Sequence, residues 1–293
     1  MPELPDITVY IEALERRIVG EPLAEARIVN PFVLRSVSPP LSRIVGRRVK
    51  GVRRMGKRIV LEFEENVLLV IHLMIAGRLR WRDPGEKVVR PAPLARFDFP
   101  KGVLFLTEAG KKRRASIHLV EGESGLAEFD RGGLEVGTSS IGEFAERLRI
   151  ENHTVKRSLT DPRLFSGIGN AYSDEILHHA RMSPLLLTSR MTEEQIATLH
   201  RSVLEVMQTW TNALRLELDG EFPEKVTAFR EEMAVHGRFG KACPVCGAPV
   251  QRIRYADNET NYCARCQTGG RLLADRAMSR LLKQDWPRSL DEL

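Results

Sequence analysis

The chain begins Met1-Pro2-Glu3-Leu4-Pro5-Asp6-Ile7-Thr8-Val9-Tyr10-Ile11-Glu12-Ala13-Leu14-Glu15-Arg16-Arg17-Ile18-Val19-Gly20. Ile7, Ile11, Leu14 and Ile18 recur at helical spacing and Gly20 follows as a stop, which predicts an amphipathic helix over residues 4–19. One side of it must pack on something. The segments that follow are strand-like: Ala26 to Val29, Arg48 to Arg53, Ile59 to Glu64, Val67 to Leu73, Ala95 to Phe99, Val103 to Thr107 and Ser116 to Val120. Turn residues such as Glu65-Asn66 and Pro100-Lys101-Gly102 separate several of them. Short strands with such turns argue for a β-sandwich that carries the N-terminal helix.

The same opening holds a candidate nucleophile. If Met1 is removed, as the small ring at position two permits, Pro2 presents a secondary amine at the tip of the helix. A neutral amine attacks an electrophilic carbon, and the adduct loses a leaving group to give an iminium. An α-amino group titrates near ~8, and the positive end of a helix disfavours its ammonium form. Glu3, one residue on, can move protons at the reacting centre. Taken alone, the six residues are more simply a Pro-rich helix start with an acid in its first turn.

At 293 residues the expectation is two domains plus a small appendage. The 45 Lys and Arg against 39 Asp and Glu give +6, an excess that is informative only where it clusters. Leu41 to Arg58 contains Arg43, Arg47, Arg48, Lys50, Arg53, Arg54, Lys57 and Arg58 without an acid, and Lys111-Lys112-Arg113-Arg114 forms a second block. Such runs suit a phosphate backbone and put nucleic acid ahead of membrane. The longest apolar run, Val67 to Ala76, is interrupted by His72 and too short to span a bilayer, and no charged leader precedes a cleavable apolar segment. A soluble, cytoplasmic, nucleoid-associated monomer with no membrane partner is expected.

Around Asp130 to Ser140 the sequence turns rich in Gly and Ser, then becomes helical from Ile141. Phe144 to Arg149, Val155 to Leu159, Asn170 to Ala180 and Thr192 to Glu217 read as helices of an all-α second domain. Within it, Gly167 and Gly169 permit a close turn before Asn170, which opens a helix whose first amides can receive a phosphate. A Gly-x-Gly turn by itself is usually punctuation between helices.

All four cysteines lie in Cys243-Pro-Val-Cys246 and Cys263-Ala-Arg-Cys266, separated by sixteen residues, which leaves none for disulfides and fits a reducing compartment. Each pair makes a tight knuckle, and the length between fits a β-hairpin that brings both onto one tetrahedral Zn²⁺. Four sulfurs leave no open coordination position, so the metal folds the hairpin and takes no part in chemistry.

Pro2-Glu3-Leu4-Pro5, the segment Gly167-Ile-Gly-Asn-Ala-Tyr-Ser-Asp-Glu-Ile-Leu177 and the finger ending Cys266-Gln267, in that order, resemble the formamidopyrimidine-DNA glycosylase and endonuclease VIII family from residue 1 to about residue 267. The resemblance implies a mixed α+β multidomain fold: an N-terminal β-sandwich with its helix (1–131), a helix-two-turn-helix domain (132–239), a four-cysteine zinc-finger hairpin (240–267) and a tail (268–293). It implies a bifunctional DNA glycosylase and apurinic/apyrimidinic lyase of base excision repair, acting on damaged double-stranded DNA by β- and δ-elimination. Carried over, Pro2 attacks C1′ of the damaged nucleotide, Glu3 handles protons as the sugar opens, and Lys57 stands near the lesion and its phosphates. His72, Lys156 and Asn170 match the family's phosphate-side residues; His72 is equally read as a core histidine, while the motif around Asn170 favours a phosphate contact over a plain helix cap.

The sequence also departs from the family. Asp6 replaces the usual Glu. Ile75 stands where the formamidopyrimidine branch has a void-filling Met, with Met74 one position earlier. The loop Thr107 to Ala115, expected to supply an Arg and a Phe, has no aromatic and offers Lys112, Arg113 and Arg114. Asn258 replaces the finger's usual Arg, with Arg252, Arg254 or Arg265 as substitutes. These changes touch opposite-base reading and lesion choice more than the covalent step, so oxidised pyrimidines or hydantoins stand beside oxidised purines as substrates. A non-catalytic damaged-DNA binder on the same scaffold is the rival reading; a zinc-ribbon adaptor leaves Pro2-Glu3 unexplained. Beyond Gln267, Leu272, Leu273, Ala277, Leu281 and Leu282 suggest a short helix that packs back on the finger or the helical domain, before Trp286-Pro287.

Overall fold

Helix α1 (Leu4–Ile18) forms as its spacing dictates, burying Ile7, Tyr10, Leu14 and Ile18 on one side. In the computed structural model the chain is described except for residues 87–89, 110–111, 225, 227–229, 256–257, 286 and 293, with backbone alone for 276–278 and 284. It divides into two units, Met1–Arg131 with Trp210–Thr227, and Gly132–Thr209 with Ala228–Leu293.

In the first unit, α1 is followed by strands β1 (Glu25–Ile28), β2 (Val49–Met55), β3 (Arg58–Phe63), β4 (Val67–His72), β5 (Gly77–Arg82), β6 (Ala95–Phe99), β7 (Gly102–Glu108) and β8 (Ser116–Glu121), then the short helix α2 (Gly122–Ala127). They make two antiparallel sheets, ordered β1-β6-β7-β5 and β2-β3-β4-β8. Ile59, Leu69 and Ile117 from one sheet join Leu79, Phe97 and Leu106 from the other in a single buried cluster, to which α1 adds Tyr10 and Leu14. This is the expected β-sandwich, and α1 lies on β2 and β3.

The sequence reading placed no strand at Gly77–Arg82. In β5, Leu79 and Trp81 point inward and Arg78, Arg80 and Arg82 alternate with them in less buried positions, so a strand-like period is present beneath a basic composition. Three cations of the acid-free basic run find acids from elsewhere in the chain. Arg43 pairs with Glu65 (3.4 Å) and Arg47 with the same carboxylate group (2.7 Å), while Arg53 pairs with Glu62 and Glu123. Acids from neighbouring strands and α2 thus break up the cationic stripe that the linear order suggested.

The second unit holds α3 (Ile141–Arg149), α4 (Val155–Thr160), α5 (Asn170–His179) and the first part of α6 (Glu193–Leu218), whose residues from Trp210 onward belong to the first unit. Ser140 and Glu143 start α3 with a reciprocal capping box. Helix α5 is buried from Ala171 through His178. Strands β9 (Val250–Tyr255) and β10 (Asn258–Cys263) form the expected hairpin, followed by α7 (Ala264–Thr268) and α8 (Arg276–Leu282).

The tail turns back on this hairpin. The Leu272 amide donates to the Arg288 carbonyl (2.9 Å) and the Leu290 amide to the Gly270 carbonyl (3.0 Å), while the Leu290 side chain packs against the apolar groups around the cysteines and beside Ile253 and Tyr262. Trp286 lies outside the described residues, and of Ala277 only the backbone is described.

Phe97 is buried between the two sheets, so Phe97→Ala is expected to destabilise the first unit by about 3–5 kcal/mol. A lower midpoint in a denaturant titration, with the cysteine hairpin still metal-loaded, checks this.

Candidate active site and nucleic-acid interface

At the tip of α1 the Glu3 amide donates to Asp6 Oδ2 (2.9 Å), which fastens the first turn, and Pro5 sets its early backbone. The shorter carboxylate at position 6 therefore still holds the backbone of the residue beside Pro2. Pro2, Glu3 and Asp6 are buried. The terminal ammonium, borne by Met1 in this chain, is pushed below the ordinary α-amino value; burial is the main cause, with Arg78 and Lys57 acting the same way and Glu3 and Asp6 against it. An amine here is predisposed to be a neutral nucleophile.

Lys57 sits in the β2–β3 turn after Gly56, whose φ of 59° is left-handed. Burial pushes the Lys57 ammonium below its usual value, and Glu3 and Asp6 counter that shift. His72 ends β4, opposite Arg58 of β3 and Ser116 of β8. Burial, then Arg58, Lys57 and His118, hold it at about 4, so the imidazole is neutral near pH 7. The fold thus gathers the N-terminal amine, Glu3, Asp6 and Lys57 into mutual electrostatic reach, with His72 next to Lys57.

The turn after β4 separates the two residues whose roles the sequence left open. Met74 is half-buried with φ +53°, a conformation unusual for a side chain of this kind, and Ile75 is 58% exposed. Arg78 Nη1 clamps the turn by donating to the carbonyls of Ile75 (3.2 Å) and Gly77 (2.7 Å). A Cβ at Gly77 would lie 2.3 Å from the Leu73 oxygen, so the turn needs glycine there. At the next loop, Glu108 is buried and accepts from the amides of Arg114 (2.9 Å) and Ala115 (3.1 Å). That bond closes the loop at its base and leaves Lys112, Arg113 and Arg114 exposed; Gly110 and Lys111 lie outside the described residues.

In the second unit Gly169, and not Asn170, is the N-cap of α5. Asn170 instead donates its side-chain amide to the Glu259 carbonyl of β10 (3.0 Å), which corrects the reading as a plain cap. Lys156 donates to the Asn170 carbonyl (3.2 Å), Ser173 Oγ (3.0 Å) and Asp174 Oδ1 (2.5 Å). An ammonium has three donors, so Lys156 is committed to the first turn of α5. Asn258 is exposed at the start of β10, opposite Tyr255 and next to the hairpin tip, whose residues 256–257 lie outside the described residues.

Several residues in this unit were missed by the sequence reading. Asp174 Oδ2 accepts from His236 Nδ1 (2.8 Å) and the Asn261 amide (3.1 Å), and Glu175 accepts from the amides of Ala234, Val235 and His236 (2.8, 2.9 and 2.9 Å). Burial raises the Glu175 carboxyl while those three amides act to lower it. The only sequence signal was an acidic pair inside a mixed helix whose residues from Ala171 to His178 are buried.

The sulfurs of Cys243, Cys246, Cys263 and Cys266 all lie within 4.8 Å of one another, with Cys243 to Cys266 at 3.9 Å and Cys246 to Cys263 at 3.4 Å. Thiolates ~2.3 Å from zinc would stand ~3.8 Å apart in a regular tetrahedron, so the donor set fits one structural Zn²⁺. His178 Nε2 lies 3.3 Å from Cys243 Sγ, a contact behind the ligand shell that ties α5 to the metal knuckle.

Residues 1–114 match the family model of the formamidopyrimidine-DNA glycosylase N-terminal domain, 136–218 that of its H2TH domain, and 240–269 a zinc finger found in FPG and IleRS. The formamidopyrimidine-DNA glycosylase of Desulforamulus reducens is 30% identical across 91% of this chain and 99% of its own length. The chain belongs to the formamidopyrimidine-DNA glycosylase family. Solved structures of the family align on 91% of the chain. They include a Lactococcus lactis FPG mutant in complex with a Fapy-dG containing DNA (TM-score 0.78, 26% identity, all of that chain) and Lactococcus lactis Fpg with an abasic site containing DNA (0.78, 25%, 99%). The cysteine hairpin is the family's zinc finger, and residues 270–293 lie beyond the last family match. No helix among the described residues is long and apolar enough to cross a membrane.

Cys263→Ser is expected to lose zinc and unfold the hairpin, because binding energy and folding energy are the same quantity in such a site; metal analysis and hairpin amide exchange check it. His72 is expected to stay neutral until pH approaches 4, read from its imidazole NMR shifts. Since its folded value lies below the ordinary 6.5, the unfolded chain binds the proton more readily, and stability falls as pH drops from about 6.5 towards 4.

Proposed function

We propose that this chain is a bifunctional DNA glycosylase and apurinic/apyrimidinic lyase that excises an oxidised base through a Schiff base at the N-terminal proline. The reading is carried by one observation: Pro2 is buried at the tip of α1 with Glu3 and Asp6, at a terminus where burial holds the Met1 amine below its usual value and Lys57 lies within electrostatic reach. Family relatives named as glycosylases, and their complexes with abasic-site DNA, support it.

With Met1 removed, the Pro2 nitrogen attacks C1′ of a nucleotide swung out of the duplex, since C1′ of a stacked nucleotide is out of reach. The glycosidic bond breaks, the base leaves with a proton, and Glu3 protonates the ring oxygen as the sugar opens to the iminium. Loss of a C2′ proton then expels the 3′ phosphate, a second elimination expels the 5′ phosphate, and water hydrolyses the remaining imine to free Pro2.

Neutral His72 can donate to a phosphate oxygen without carrying charge, and Lys57 supplies a cation close to the reacting centre. Ile75 is the exposed apolar side chain available to occupy the space left by the flipped nucleotide, next to the half-buried Met74 in sequence. Lys112, Arg113 and Arg114 reach the DNA backbone from their loop. In the second unit Asn170 and Asn258 contact phosphates; Lys156 acts by holding the α5 turn that presents Asn170. The zinc holds the hairpin and takes no chemical step.

Borohydride is expected to trap a covalent complex with an abasic duplex, and Pro2→Gly to weaken trapping severely; undiminished trapping by that variant, with residue 2 at the mature terminus, would remove Pro2 from the mechanism. Ile75→Ala is expected to slow excision of a paired lesion by roughly tenfold, the scale of a kcal/mol or two of apolar burial. Nicking of a preformed abasic site should change far less. The absence of an aromatic in the loop 107–115 favours one alternative, a non-catalytic damaged-DNA binder; nicking of an abasic duplex by pure protein eliminates it.

A further inference from the structure

The tail beyond the family match builds a pocket with α7. Arg265, Gly269, Gly270 and Arg271 form one wall and Arg288 to Asp291 the other, around about 560 Å³. The walls are pinned by backbone pairing: Arg271 bridges Ser289, and Leu290 and Gly270 share a hydrogen bond of 3.0 Å. Leu290, seated against the apolar residues around the metal knuckle, holds the second wall in place.

Three arginines, Arg265, Arg271 and Arg288, therefore line one concavity. Arg265 is oriented by the Cys246 carbonyl (3.3 Å), and among the described residues no carboxylate pairs with Arg265, Arg271 or Arg288. The acids at hand do not neutralise them. Glu292 is occupied by the Arg288 amide (2.7 Å) and Ser289 Oγ (3.2 Å), which leaves Asp291 as the one carboxylate in the lining. Elsewhere Arg43, Arg47, Arg53, Arg82 and Arg96 each pair with a carboxylate. Like charges gathered without partners repel, and an anion relieves that repulsion. The planar fork of arginine matches phosphate oxygens in pairs.

We propose that this pocket binds a phosphate group, and that its source is a backbone phosphodiester of DNA outside the lesion contacts. The volume admits a phosphate together with an attached sugar. The DNA source rests on the proposed function; the phosphate chemistry does not. A free polyphosphate is the other source of the same group.

The test uses the full, zinc-loaded chain and Arg271→Ala/Arg288→Ala. Equilibrium binding is measured against salt on a short abasic duplex limited to the lesion contacts and on a longer one, and tripolyphosphate is titrated while the arginine Nε–H signals are followed by NMR. On the long duplex the variant is expected to show a salt slope shallower by about 1, since the one phosphate no longer neutralised removes about 0.9 from the slope. Its short-duplex affinity, zinc content and abasic-site nicking should be unchanged. An unchanged slope with tripolyphosphate shifting the signals of Arg271 and Arg288 in the parent would overturn the DNA source and keep the phosphate site. An unchanged slope without such shifts overturns the proposal. If the parent binds both duplexes but nicks neither, the proposed function fails while the salt slopes still decide the pocket.

Discussion

A buried pair of carboxylates on one helix sets the architecture of the second unit. Asp174 and Glu175 lie side by side in α5 and are almost wholly removed from water, a position that is strongly unfavourable unless every oxygen finds a donor. Asp174 takes Lys156, His236 and the amide of Asn261; Glu175 takes three successive amides from residues 234–236. Through these bonds α4, the segment before the finger and strand β10 are all registered against α5. Removing one partner of such a network leaves a stranded charge, typically costing about 3–5 kcal/mol. An apolar helix could be as stable and would not dictate this one alignment.

That alignment gives the finger its place next to the first turn of α5. Asn170 reaches β10, Lys156 braces the carbonyl of Asn170, and His178 near the other end of the helix meets Cys243. The metal knuckle and the glycine-rich turn are therefore two ends of one rigid piece. Zinc supplies folding energy for a hairpin with only small apolar clusters of its own, and the carboxylates orient it.

The first unit applies the same physics to reactivity. Burial that would be costly for a permanent charge is what depresses the N-terminal amine and Lys57, and the nearby Glu3 and Asp6 temper the shift without abolishing it. Asp6 does this while accepting the Glu3 amide, which keeps the backbone of the helix tip fixed. Arg78 links this corner to the turn that exposes Ile75, since it influences the amine and clamps the turn's carbonyls.

What the amino-acid order determined by itself are features carried by near neighbours: the 3.6-residue rhythm of α1, the alternation and turns of most strands, the two Cys-x-x-Cys knuckles and the Pro2-Glu3 start. Each is encoded within a few residues of itself. What tertiary structure alone decided are pairings between distant residues. Part of the basic run after Leu41 is offset because Glu121 and Glu123, far along the chain, fold back onto Arg43 and Arg53. Lys156 became a brace because Asp174 lies buried beneath it, and Asn170 found its acceptor 89 positions away. Arg265 of α7 and the tail residues Arg271 and Arg288 line one pocket only once residues 288–291 return to α7. Charge and hydrogen-bonding capacity are visible in a sequence, but their partners are chosen by proximity in space, which only the packed chain supplies.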